Sequence, residues 1–178
     1  MTHPTETLAN RHTREAQARV VSVFTKRPEA AQSVNLGTAA VTDGLTCTYD
    51  QDGQRIVLDM PKPVGGSGAG PSPGFFGRAA LSGCVAIGIK MTAAREGLHL
   101  DAVQVDIEQH WDDRGLFALA GTPAGPLDTR LTISVASPEP AAKVQAMVSR
   151  ALDSDPWFLA FRDAQSLRTE VTCTEAAR

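Results

Sequence analysis

Three groups of residues in this 178-residue chain have types and spacings that chemistry can use. The run GGSGAGPSPG, residues 65 to 74, offers closely spaced glycines and a serine. Cys84 sits ten residues further on in an apolar stretch. His110, Asp112 and Asp113 gather metal-binding types at one turn.

Spacing removes the phosphate readings of the first group. A Walker loop needs Lys and then Ser or Thr after its second glycine, and Gly70 is followed by Pro71 and Ser72. The three glycines of a dinucleotide fingerprint cannot be placed at their offsets either. Gly70-Pro-Ser72-Pro-Gly74 matches GxSxG by letter, but a nucleophile elbow needs a backbone N–H after its serine, and Pro73 has none. Ser72 is better used as the N-cap of a helix with Pro73 at its first position. The His110, Asp112 and Asp113 group is followed by Arg114-Gly115, the composition of a solvated turn, and no metal site is expected. His99 falls in a loop between helix and strand.

The helix that follows Ser72, about residues 73 to 95, carries only Arg78 and Lys90 as charges between Gly74 and Ala94. A helix apolar nearly all round belongs at a centre. Gly77, Gly83 and Gly88 cost it roughly 3 kcal/mol relative to alanine. A close neighbour around Gly83, beside Cys84, is the expected compensation. Cys84 is then either a small core residue or a sheltered nucleophile.

The remaining elements follow from periodicity. Residues 6 to 26 read as a peripheral amphipathic helix. Val41, Leu45, Cys47 and Tyr49 lead through Gln51-Asp52-Gly53 to Ile56, Leu58 and Met60, a strand, turn and strand. Residues 101 to 111 alternate with period two and predict a half-wet antiparallel strand. Leu116 to Leu119 and Leu131 to Val135 predict two more. A helix follows Ser137, with Ser137 or Glu139 near its positive end, and Asp155 caps a short helix that begins at Pro156. Leu167, Thr169, Val171 and Cys173 alternate as a closing strand, with Cys47 and Cys173 facing inward. Strands grouped around two main helices without regular βαβ alternation make an α+β fold. The domain reading is an N-terminal helical extension, 1–33, and one domain, 34–178.

Composition limits the partners. The net charge of −3 is spread over both signs, so neither nucleic acid nor a membrane surface is expected. The polar N-terminus and the shortness of the apolar runs predict a soluble cytoplasmic protein. Three distant cysteines suggest neither a disulfide framework nor a zinc site, and no cofactor is expected.

The order GG, GPSP, AALSGC and MTAAREGLHLDAVQVDIE resembles the OsmC/Ohr superfamily of osmotically inducible and organic hydroperoxide resistance proteins, over about residues 34 to 174. The N-terminal helix and the run 112 to 121 resemble a longer branch. The resemblance implies antiparallel sheets wrapped around two central helices in an intertwined homodimer. It also implies a thiol peroxidase in which the central-helix cysteine, Cys84 here, attacks the peroxide and a second cysteine resolves the sulfenic acid. This chain departs from that pattern at three positions. The family's carboxylate ten residues before the cysteine falls on Gly74, its resolving cysteine on Asp155, and its hairpin arginine near Gly44.

Arg78 and Arg55 are therefore the candidate helpers for Cys84, with Asp155 as a neighbour that would raise the thiol pKa. Arg78, six residues before Cys84, lies off its helical face, so a second subunit would have to bring either arginine close. Tyr49, Phe75, Phe76 and Trp157 are candidates to line an apolar pocket. Two functions stand: reduction of organic hydroperoxides through Cys84 with an external resolving thiol, or a non-catalytic dimer that binds an apolar small molecule or is structural.

Overall fold

The computed structural model describes residues 7–119 and 121–173, as four α-helices and two antiparallel sheets. The residue at which the first helix was expected to begin, Ala120 in the run 112 to 121, and both chain ends lie outside the described residues. Helix α1 (Leu8–Lys26) is followed by strands β1 (Thr38–Val41), β2 (Cys47–Gln51) and β3 (Gln54–Leu58). The central helix α2 (Pro73–Glu96), strands β4 (Ala102–His110) and β5 (Asp128–Ala136), and helices α3 (Ala141–Leu152) and α4 (Pro156–Arg162) complete the order.

The hydrophobic stripes decide how these elements pack. Leu81, Val85, Ile89 and Ala93 repeat every four residues along α2, so they fall on one side and are buried there. Val144, Met147 and Ala151 of α3 meet them. The inner face of the β4–β5 hairpin closes the core through the register pairs Val103 with Val135, Val105 with Ile133 and Ile107 with Leu131. Its outer face carries Gln104, Asp106 and Glu108, the alternation that the sequence predicts.

Local chemistry fixes the ends of α2. The Ser72 hydroxyl accepts from the Phe75 N–H at 3.4 Å and Pro73 takes the first helical position. At the other end Gly97 adopts φ +68°, and its N–H returns to the Ala93 and Ala94 carbonyls. By length and hydropathy α2 would also suffice to cross a bilayer, which the sequence reading did not anticipate. Its small residues raise the average without making it uniformly greasy, and its buried stripe is that of a core helix.

Three expectations are corrected. The first hairpin holds three strands rather than two, because Gly44 at φ +62° reverses the chain between Val41 and Cys47. Residues Asp113–Phe117 form a 3-10 turn in place of a strand: the Asp112 carboxylate accepts from the Arg114 N–H and Ala118 closes the turn in the left-handed region. Residues 164–173 form no strand; no strand among the described residues pairs with them, Leu167 is 86% exposed, and Cys173 is exposed where it was expected to face inward.

Two elements sit outside the core. Helix α1 packs on α2 but buries none of its residues. The sheet β1–β3 takes part in none of the principal packings among α2, α3, α4 and β4, and Val41, Ile56 and Val57 on it are exposed.

Candidate functional site

The glycine run does bind an anion, and the anion is internal. Asp59, buried just after β3, accepts hydrogen bonds from the Ser67 N–H at 3.1 Å, the Ser67 hydroxyl at 2.5 Å, the Ala69 N–H at 3.0 Å and the Thr46 hydroxyl at 3.1 Å through Oδ2, and from the Met60 N–H at 2.7 Å through Oδ1. The Ser67 and Ala69 donors, ahead of its desolvation, hold the carboxyl far below the usual carboxylate range. The glycines permit the wrap: a Cβ on Gly66 would overlap the Met60 carbonyl, and one on Gly70 the Val57 carbonyl. Sequence reasoning missed Asp59. Its only signal was a lone acidic residue at a strand end before a loop rich in free N–H groups.

Cys84 lies three turns into α2, half-buried. The turn that joins α3 to α4 passes over it and brings two groups to its sulfur. The Trp157 backbone N–H and the Asp155 carboxylate are the polar groups that act on its titration. Asp155, only 3% exposed, also caps α4, its Oδ1 accepting from the Phe158 N–H at 2.8 Å. The capping role that the sequence assigned to Asp155 and the neighbour role thus belong to one side chain. The turn comes so close that a Cβ on Gly88 would sit 2.9 Å from Asp155 Oδ2, whereas Gly83 has open space. The close approach expected at Gly83 is made at Gly88, because Gly83 points to a side of α2 that this chain leaves uncovered. A cleft of about 350 Å³ opens beside the thiol, bounded by Ile87, Met91, Thr92 and Arg95 of α2 and by Asp155 and Pro156.

A family model described as OsmC-like protein matches residues 66–170. The chain belongs to the OsmC-like family. Solved structures share the fold. The OsmC like protein from Mycoplasma pneumoniae is 14% identical with a TM-score of 0.62, over 74% of this chain and 89% of that one. An organic hydroperoxide resistance protein OsmC from Legionella pneumophila is 19% identical with a TM-score of 0.51, over 73% and 90%. An organic hydroperoxide resistance protein from Elizabethkingia anophelis is 16% identical with a TM-score of 0.52, over 74% and 89%. At such identities the likeness is one of fold. No curated protein matches the chain in sequence.

In this OsmC-like protein the electrostatics around Cys84 oppose ionisation. Burial pushes the thiol pKa up, the Trp157 N–H pulls it down, and the charge and hydrogen bonding of Asp155 push it up again, leaving it above the ordinary value. Neither candidate arginine enters that balance. Arg55, on β3, pairs with Asp50 at 2.7 Å in solvent. Arg78 lies in the second turn of α2, with one guanidinium nitrogen over Gly74.

The four candidate pocket aromatics are dispersed. Tyr49 packs against Gly37 and its hydroxyl donates to Gln51 on β2. Phe75 and Phe76 stack edge to face at 5.5 Å in the first turn of α2. Trp157 is half exposed on α4, and it is its backbone N–H that acts on the thiol. His110 contacts Glu108 at 2.7 Å, Asp112 pairs with Arg114, and His99 contacts Asp101 at 2.9 Å. Among the described residues no three such side chains converge as a metal site would require.

Proposed function

We propose that this OsmC-like protein reduces organic hydroperoxides at Cys84 in a cycle that an external thiol completes. The observation that carries the reading is a half-buried sulfur that opens on a cleft, where the Trp157 backbone N–H acts in favour of the thiolate. The Cys84 thiolate attacks the outer peroxide oxygen, the O–O bond breaks, and the departing alkoxide takes a proton from water to become the alcohol. The sulfenic acid formed condenses with one external thiol, releasing water, and a second external thiol frees Cys84 and leaves as the disulfide. No cofactor is required. Asp155 stands where a resolving cysteine would be and cannot form a disulfide, which is why the second sulfur must come from outside.

Burial first, and then the same carboxylate, make the thiol a slow nucleophile at neutral pH, since only the ionised fraction attacks. Two family members with this fold are named organic hydroperoxide resistance proteins, which supports the substrate class. Apolar residues left in solvent by one copy, among them Val41 and Ile56 on the first sheet, support a homodimer. We assign it to the cytoplasm, where reducing thiols are maintained.

A second reading, a small-molecule-binding protein in which Cys84 stays a thiol, is favoured by the raised pKa. Treatment of reduced protein with cumene hydroperoxide and dimedone separates the two. A dimedone adduct on Cys84, absent from Cys84→Ser and growing with pH, is the expected result. No adduct between neutral pH and the thiol's own titration leaves the binding reading.

A further inference from the structure

Arg95 is the cation of the Cys84 cleft, and the N-terminal helix holds it there. Along α2, Cys84, Gly88, Met91 and Arg95 are spaced by four, three and four residues, so all four project from one side of the helix. The stripe runs ~16 Å along the axis, with the sulfur near one end and the guanidinium at the other. One guanidinium nitrogen donates to Gln17 Oε1 of α1 at 2.6 Å and another to the Thr92 hydroxyl at 2.8 Å. Gln17 is fixed in turn by donating to the Met91 carbonyl at 3.3 Å.

Both partners of Arg95 are neutral. Arg55, Arg114, Arg150 and Arg162 each pair with a carboxylate, and Glu96, beside Arg95 in sequence, is bound by Arg150 at 2.6 Å. Glu96 attracts Arg95 through space, but no carboxylate occupies its N–H groups, and a guanidinium has five N–H donors with which to meet a planar oxyanion. At the other end the cleft presents Asp155, a hydrogen-bond acceptor that repels anions. Met91 and Ile87 supply apolar wall between the two.

We propose that the cleft binds an amphipathic organic carboxylate, its head on Arg95 and its apolar body directed toward Cys84, with Gln17 of α1 as the positioning residue. This rests on the Cys84 cleft being the ligand site. It gives the helix that precedes the family-matched region a part in ligand selection.

Calorimetric titration of full-length Cys84→Ser with octanoate and with 1-octanol tests it apart from thiol chemistry. Octanoate should bind about tenfold more tightly than octanol. Adding Arg95→Gln should lower octanoate to the octanol level, and adding Gln17→Ala, which leaves the arginine present but unguided, should remove part of the preference while octanol binding is unchanged. Equal binding of the two probes, binding of neither, or a preference that survives Arg95→Gln would overturn the proposal. A carboxylate preference in a protein whose Cys84 proves inert to peroxide removes the peroxidase reading and leaves this one standing; a reactive Cys84 without that preference does the reverse.

Discussion

Gly88 and Asp155 face each other so closely that no side chain fits between them: a Cβ on Gly88 would lie 2.9 Å from Asp155 Oδ2. The carboxylate is held on its far side by the Phe158 N–H. This pairing sets both the position of α4 on α2 and the charge that Cys84 feels.

Gly88→Ala should therefore separate stability from thiol chemistry. Alanine gains about 1 kcal/mol of helix propensity, and displacing the capping carboxylate loses about 1 kcal/mol. The melting temperature should change little. The midpoint of iodoacetamide alkylation against pH should fall as the carboxylate is pushed from the sulfur, and an unmoved midpoint counts against the contact.

Asp155→Asn retains a capping oxygen and removes the charge. The thiol pKa, raised in part by Asp155, should fall, so alkylation and peroxide-dependent modification of Cys84 should both speed up at neutral pH. A slower reaction would instead make Asp155 the group that accepts the thiol proton. Stopped-flow kinetics between pH 6 and the thiol's titration distinguish the two.

Asp59 gives a pH signature. Its folded pKa is depressed, so the stability that it contributes is complete above the unfolded carboxyl value, about 3.9, and is lost as pH falls through the folded value. Asp59→Asn should lower the melting temperature by several degrees at neutral pH. That gap should narrow as both proteins are titrated below pH 4. A gap that persists at the lowest pH means the loop is held by something other than the charge.

Met147, fully buried against α2, tests the core. Met147→Ala should cost roughly 2–5 kcal/mol in denaturant unfolding. A value much below this would show that α3 is not a principal partner of the central helix.

How much of this the sequence revealed depends on how local the cause is. Ser72-Pro73 and Asp155-Pro156 announce helix starts because cap and first residue are adjacent, and β4 is legible because its alternation and its burial coincide. Period two alone failed at Leu167 to Cys173, since alternation says nothing of whether a partner strand exists. Leu116 to Leu119 misled for a related reason: the Asp112 cap and the left-handed Ala118 outweigh an apolar run. Asp59 and Arg95 were invisible because their partners, Thr46, Ser67 and Ala69 in one case and Gln17 in the other, become neighbours only after folding.

The Asp59 cradle also decides what the loop turns away. A nucleotide or inorganic phosphate seeking those backbone amides would first have to evict a resident carboxylate tethered to the same chain, and eviction would loosen the join between the first sheet and the central helix. Metabolites bearing phosphate therefore have no vacant berth at the run that most resembles one.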